Sequence, residues 1–210
     1  MKAPDQSLWW EMNFVLSKVK PIAHWATVPL DLAKRSFLIA ARRAYPKVLS
    51  QHPIFALQLK ANLSNVTDLQ PADYADHRWY LKLKCGGCGE VSDRWQYATI
   101  EESHELTKGH GTCHIQTKCS FCGRQNTLEI LPDSYAPYSA ERNEEFQTIV
   151  KFDCRGLEPV ALDPRGGWKC FSTGKNTPFN VDFNEDDWAD YEDEPLEIIE
   201  LESRFIPTKK

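Results

Sequence analysis

Cys85-Gly86-Gly87-Cys88-Gly89, followed about thirty residues later by Cys119-Ser120-Phe121-Cys122-Gly123, is the stretch whose reading decides the fold. Two Cys-x-x-Cys pairs at this separation are the pattern of a structural zinc site. Two intervening residues let a tight turn aim both sulfurs of a pair at one ion. Gly89 and Gly123 each follow a second cysteine, where glycine tolerates positive φ and leaves room for backbone N–H groups to approach the thiolates. The expected ligand set is Cys85, Cys88, Cys119 and Cys122, with Zn2+ as the cofactor. Four thiolates close a tetrahedral shell and leave no position for a substrate, so the site reads as structural rather than catalytic. A lone Cys-x-x-Cys can instead be a redox dithiol. A second matched pair is not needed for that work, and no βαβ pattern surrounds Cys85. Two disulfides are the other alternative, but no further feature marks the chain as secreted.

Working outward, residue 54 onward alternates in strand fashion. Phe55, Leu57, Leu59 and Ala61 alternate with Gln58, Lys60 and Asn62, a period of two that buries one face. Trp79, Leu81 and Leu83 alternate with Tyr80, Lys82 and Lys84 and run straight into Cys85. Residues 95–100 read as another strand. Residues 112–118 deliver the second pair, and 127–131 carry the chain away until Pro132. Each pair therefore sits at the turn of a hairpin-like unit, a zinc-ribbon arrangement set in a larger β domain. Beyond it, 133–144 reads as a polar loop. Phe146 to Cys154 reads as a strand with Phe146, Thr148, Val150 and Phe152 on one face. Residues 155–160 read as a turn into a further strand, Trp168 to Phe171 as another, and Leu196 onward as the closing strand. Many short strands with frequent turns indicate a mainly β, sandwich-like or barrel fold.

Residues 1–52 differ in kind and read as an appended, poorly ordered extension. Its one periodic segment, Asp31 to Tyr45, predicts an amphipathic helix with Asp31 as N-cap and Pro46 as stop. The helix is basic, which keeps organelle targeting open, although Asp5, Glu11 and Asp31 are unusual in a transit peptide. The chain thus divides into an extension, 1–52, and a zinc-binding β domain, 53–210.

The 210 residues are 41% hydrophobic and 11% aromatic, ample for a packed core, and no apolar run reaches membrane-spanning length. The net charge of −5 is uneven: residues 1–52 hold eight Lys or Arg against three acids, the remainder seventeen against twenty-seven. An acidic body repels phosphate backbones and argues against nucleic-acid binding. Seven cysteines suit a reducing compartment, cytoplasm or nucleus.

Several stretches then carry a family resemblance: F-A-L-Q-L-K-A-N-L at 55–63, R-W-Y-L-K-L-K-C-G-G-C-G-E at 78–90 and D-R-W-Q-Y at 93–97. P-Y-S-A-E at 137–141, F-D-C-R-G-L-E-P-V at 152–160 and D-W-A-D-Y at 187–191 extend it. In this order they resemble the eukaryotic CXXC-motif-containing zinc-binding protein family. The resemblance implies a sandwich-like β fold, one zinc on the two Cys pairs, no established enzymatic activity, and a beginning near Ile54.

Other chemistry carries less. Cys154 beside Arg155 can be an activated thiol or a buried structural one, and its alternating strand favours the latter. Arg155 and Glu158 can pair across a turn or present a partner-binding spot. His104, His110 and His114 with Cys113 offer a second, weaker metal site between the knuckles, but no ligand spacing supports it and the histidines read as exposed loop residues. The acidic run 182–194 reads as a solvated loop anchored by Trp188. No paired catalytic carboxylates, phosphate loop or nucleophile–base signature occurs. The expected function is a non-enzymatic zinc protein whose β domain meets an unidentified protein partner, without membrane span or nucleic acid. The alternative is a thiol-based metal-handling or redox protein.

Overall fold

The computed structural model describes residues 52–106, 111–183 and 187–208, so the expected helix at 31–45 lies outside the described residues. Among the described residues fourteen strands form, all pairing antiparallel. They are β1 (Ile54–Ser64), β2 (Val66–Pro71), β3 (Trp79–Cys85), β4 (Gln96–Ala98), β5 (His104–Glu105), β6 (Thr112–Cys113) and β7 (Ile115–Lys118). They continue with β8 (Gln125–Leu131), β9 (Gln147–Arg155), β10 (Leu157–Asp163), β11 (Trp168–Ser172), β12 (Pro178–Val181), β13 (Trp188–Tyr191) and β14 (Pro195–Thr208). One sheet runs β13-β14-β1-β9-β8-β7; smaller sheets run β10-β3-β4, β12-β11-β2 and β5-β6. The mainly β reading holds. Among the described residues the helical segments are single 3-10 turns, and no helix is long and apolar enough to cross a membrane.

The alternation in β1 and β3 buries the residues the sequence marks, with Leu57, Leu59, Trp79 and Leu81 fully shielded. Against them, Trp79 and Trp168 meet edge to face at 5.7 Å, and the His77 ring sits edge-on to both. Such T-shaped contacts align ring edges with ring faces and bind beyond their buried area. His77 is itself buried and its Nδ1 has no partner. Burial drives its pKa down to about 4, because the charged ring would lose its hydration. It is a neutral aromatic core residue.

Two expectations need correction. In β9 the shared-face pattern breaks: Ile149 and Val150 are both buried, while Phe146 lies under the Arg204 guanidinium, 3.7 Å from its ring centre, and Thr148 is only half-buried. The pairing of β1 with β9 slips between Leu57 and Gln58, where Val150 and then Thr148 are the partners. The bulge residue, Ile149, turns the strand's faces over. The stretch 133–144 is also more than a polar loop. Tyr138 is fully buried, and its hydroxyl donates to Ala61 O (2.9 Å) and accepts from Ala61 N (3.2 Å). Ala61 lies past Leu59↔Gln147, the last pair of the β1–β9 ladder, and its carbonyl also accepts from Glu144 N at 3.1 Å. The phenol thus replaces a missing strand partner, as buried backbone polar groups require.

Strand β14 pairs with β1 along nearly its whole length, from Ile54↔Thr208 to Ser64↔Glu197. At the opposite side of β1, β9 leaves the large sheet at Arg155, turns at Gly156, and becomes β10 beside β3. That corner sets the position of the cysteine cluster.

Candidate metal centre

Strand β3 ends at Cys85, whose ladder partner on β10 is Leu157, one residue past the corner. The first knuckle, Cys85 to Gly89, returns along Glu90 to Ser92, with Cys85 N donating to Glu90 O at 2.7 Å and Gly89 N to Cys85 O at 2.8 Å. The second repeats this pattern: Cys119 N donates to Arg124 O and Gly123 N to Cys119 O, both at 2.9 Å. Gly89 and Gly123 have φ of +82° and +70°, the left-handed values that a side chain resists. The expectation that each pair caps a hairpin-like turn is met. The incoming strand of the second differs from expectation, splitting at His114 into β6, paired with β5, and β7, paired with β8.

The two knuckles face each other, and the four sulfurs lie within 4.8 Å of one another. Cys85 Sγ is 3.7 Å from Cys122 Sγ, and Cys88 Sγ is 3.5 Å from Cys119 Sγ. A tetrahedral ion with metal–sulfur bonds of about 2.3 Å requires sulfur–sulfur edges of about 3.8 Å. The donor set and its spacing therefore fit zinc, and all seven cysteines of the chain are free thiols. Amide groups prepare the site further. The Gly87 and Cys88 N–H groups pull Cys85 down to about 6, and the Cys122 and Phe121 N–H groups lower Cys119. Hydrogen bonds to a thiolate favour the charged form that a metal needs. Cys88 is pushed up to about 12: the Glu90 amide lowers it, but desolvation and the three sulfurs around it raise it more. Four anionic sulfurs this close repel one another unless a cation lies between them.

Knuckle 1 is buttressed from below. Gly86 N donates to Gly156 O at 2.9 Å. Gly156 has φ of +78°, and a Cβ there would stand 2.5 Å from the amide terminus of Asn126. Asn126 is buried on β8 between the corner and the cluster. With its NH2 turned to the corner it donates to Gly156 O (2.8 Å) and Gln125 O (3.2 Å); turned the other way, Nδ2 lies 3.6 Å from Cys85 Sγ. The Arg124 side chain lies against Gly87 and Gly156, each within 3.3 Å of where a Cβ would stand. Asn126 and Arg124 were not singled out in the sequence; the usable signal was their position directly after the second knuckle, aligned with the strand residues that must face the first.

With the fold and the cluster in place, known proteins can be compared. Residues 56–206 match the profile of the eukaryotic CXXC motif containing zinc binding protein. The chain belongs to this family. A family member from Xenopus laevis, named CXXC motif containing zinc binding protein, is 47% identical over 155 residues, which cover 72% of this chain and 96% of that protein. The Homo sapiens protein of the same name is 46% identical over the same length and coverage. The crystal structure of C1orf123 is 45% identical, with a TM-score of 0.70 over 74% of this chain and 99% of that one. The family's name and the four-sulfur cluster both point to zinc binding.

The remaining candidates fall into place around the cluster. Cys154 is fully buried, and burial pushes its thiol far above the ordinary range; Cys170 is likewise driven up to about 12. Neither is an activated thiol. Arg155 and Glu158 do not pair: the corner sends them to different sheets, where Arg155 lies opposite Thr127 and Glu158 opposite Lys84, 3.7 Å from its ammonium. His114 is half-buried rather than an exposed loop residue, its Nδ1 accepting from Ile130 N at 2.9 Å, and Cys113 is buried with its thiol toward His104 O. His110 lies outside the described residues. Among the described residues, the four-cysteine set is the group found close enough to hold an ion. In the acidic run, Trp188 packs on Phe179 at 6.4 Å while Asp190 and Tyr191 stay exposed on β13.

Proposed function

We propose that Cys85, Cys88, Cys119 and Cys122 hold one structural zinc ion, and that the domain it braces, residues 53–210, is a non-enzymatic protein-interaction module of the cytoplasm or nucleus. The observation that carries the reading is the convergence of four sulfurs, from two turns with matching hydrogen bonds, to edges of 3.5 and 3.7 Å. Bound there, zinc would join the knuckles through four metal–thiolate bonds and so couple metal affinity to folding. This chain's own groups supply the orientation: the Gly156 carbonyl fixes knuckle 1, and amide N–H groups favour the charged forms of Cys85 and Cys119.

A surface for a partner lies beside knuckle 1. The outward face of the β10-β3-β4 sheet carries Tyr80 and Tyr97 at 5.9 Å, with Arg78 over Tyr97, Arg165 over Tyr80 and Lys82 over Trp95. Val91, Trp95, Tyr97 and Val160 are exposed there, four of the six large apolar side chains exposed among the described residues. Clustered exposed aromatics flanked by cations are characteristic of interaction sites. Replacing Trp95 and Tyr97 together by Ala should leave the melting temperature within about 2 °C of wild type, since surface changes are nearly neutral, and should abolish recovery of the partner from cytosol. Unchanged recovery would count against this face.

Metal content by elemental analysis and melting curves test the zinc reading. One zinc per chain is expected, and Cys88→Ser or strong chelation should lower the melting temperature by more than about 10 °C, because structural zinc contributes folding free energy directly. An unchanged melt after verified zinc loss refutes it. The second reading, thiol-based metal handling, draws on the exposure of Cys88 and Cys122. Transfer of zinc to a competing chelator within seconds would favour it; retention over hours would eliminate it.

A further inference from the structure

Arg155 belongs to the corner but has no part in the metal centre or the aromatic face. Its ladder partner on β8 is Thr127, which lies opposite Gln116 on β7; one step toward knuckle 2, Gln125 lies opposite Lys118. Directly opposite residues of antiparallel strands share a face, as do i and i+2 along one strand. Gln116, Lys118, Gln125, Thr127 and Arg155 therefore stand in two rows about 7 Å apart on one face of the large sheet. Ile115, Leu128 and Cys154 point the other way, into the core. With Leu106 and Gly123 the five line an open groove of about 680 Å³, and none of these residues is acidic. Lys118 lies along knuckle 2, its Cε 3.7 Å from where a Cβ on Gly123 would stand. The chain has more acids than bases, yet the ion pairs among the described residues join Lys60 to Glu202, Lys84 to Glu158, Arg165 to Asp163 and Lys175 to Asp193. Arg155 and Lys118 form none, although Glu129 and Asp153 come next along the same face. Among the described residues the side chains of Arg155, Lys118, Gln125 and Thr127 make no hydrogen bond either. Four donor groups thus border one groove without a partner.

We propose that this groove is an anion site whose ligand is a phosphate monoester. A guanidinium presents parallel N–H donors to two oxygens of one anion, and an ammonium adds a compact point charge. The Thr127 hydroxyl and the Gln125 amide supply neutral donors beside them. A phosphate monoester brings three acceptor oxygens and close to two negative charges at neutral pH, which answers two cations and two neutral donors. A carboxylate brings two oxygens and one charge, and leaves part of the set unmet. The groove is larger than a phosphate group alone, and Leu106 at its rim offers apolar contact to whatever the phosphate esterifies. That chemistry is shared by a phosphorylated protein side chain and a small phosphate ester.

The test uses the full chain, nitrogen-labelled for magnetic resonance, in a phosphate-free chloride buffer at fixed ionic strength. N-acetyl-phosphoserine amide and glycerol phosphate are titrated separately, with N-acetyl-glutamate amide as the carboxylate control, and backbone and arginine N–H shifts are followed. At least one phosphate probe should saturate shifts at Gln125, Thr127 and Arg155 with a dissociation constant of about 1 mM or below. The tighter of the two names the source. Arg155→Gln should weaken binding at least about tenfold, as loss of a charge-assisted pair of bonds implies. Arg155→Lys, which keeps the charge and loses the fork, should recover only part of it. Lys118→Gln carries the same test on β7 if the Arg155 variants do not fold. Lys169→Gln, on the β12-β11-β2 sheet, should leave binding unchanged. No saturable shift with either phosphate probe, equal affinity for the glutamate probe, or an equal loss in Lys169→Gln overturns the proposal.

Discussion

Gly156→Ala should strike the metal centre from a residue that never touches it. At φ of +78° the new methyl enters the left-handed region, at about 1–2 kcal/mol. It would also stand 2.5 Å from the Asn126 amide terminus, so that buried side chain must swing away and lose its bonds to Gly156 O and Gln125 O. Stranding buried polar groups adds about 1–3 kcal/mol. The sum is about 2–5 kcal/mol, or a fall in melting temperature of about 5–15 °C for a domain of this size. Melting of the zinc-loaded protein by circular dichroism reads the effect. A cycle with Asn126→Ala isolates its cause, because once the amide is gone the methyl has space and mostly the backbone term remains. The double variant should therefore be less destabilised than the sum of the singles, by at least about 1 kcal/mol. Additivity, or a Gly156→Ala protein within about 0.5 kcal/mol of wild type, would refute the account of the corner.

Tyr138→Phe removes the hydroxyl that completes β1 at Ala61 and should cost about 1–3 kcal/mol in urea unfolding, because Ala61 N–H is left buried without its partner; an effect below about 0.5 kcal/mol would show that another group takes over. His77, with a folded pKa of about 4 below its ordinary 6.5, binds fewer protons folded than unfolded between those values. Its contribution is therefore complete above pH 6.5 and fades as pH falls toward 4, by at most about 3 kcal/mol. His77→Phe should flatten the loss of stability between pH 7 and 5, measured by denaturant midpoints; an unaltered slope would place the proton elsewhere.

The strands and the cluster were legible because their signals are local. Period two in 55–61 and 79–84 needs only the chain itself, and the repeated Cys-x-x-Cys-Gly marks both the cysteines that cluster and the turns that carry them. What stayed hidden depends on partners distant in sequence. The bulge that turns Phe146 outward exists because β9 must register with β1, and nothing in Phe146-Gln147-Thr148-Ile149 announces it. Tyr138 looked like a loop aromatic, since its role is defined by the end of a ladder about eighty residues earlier. Arg155 and Glu158 read equally as a pair across a turn or as a partner-binding spot, and the pairing fails because the turn is a corner between sheets. Asn126 carries no signal of its own in the sequence, and only the meeting of knuckle 1 with the corner gives its amide a purpose.

The pairing of β1 with β14 has a consequence for how the domain is made. Ile54 and Thr208 lie side by side although they are separated by almost the entire domain. A nascent chain therefore presents both knuckles well before the strand that covers one side of β1 has been synthesised. Loop closure of that span is slow relative to hairpin formation. A metal held by the four sulfurs would therefore act as an early fastener for a fold whose last seam waits for β14.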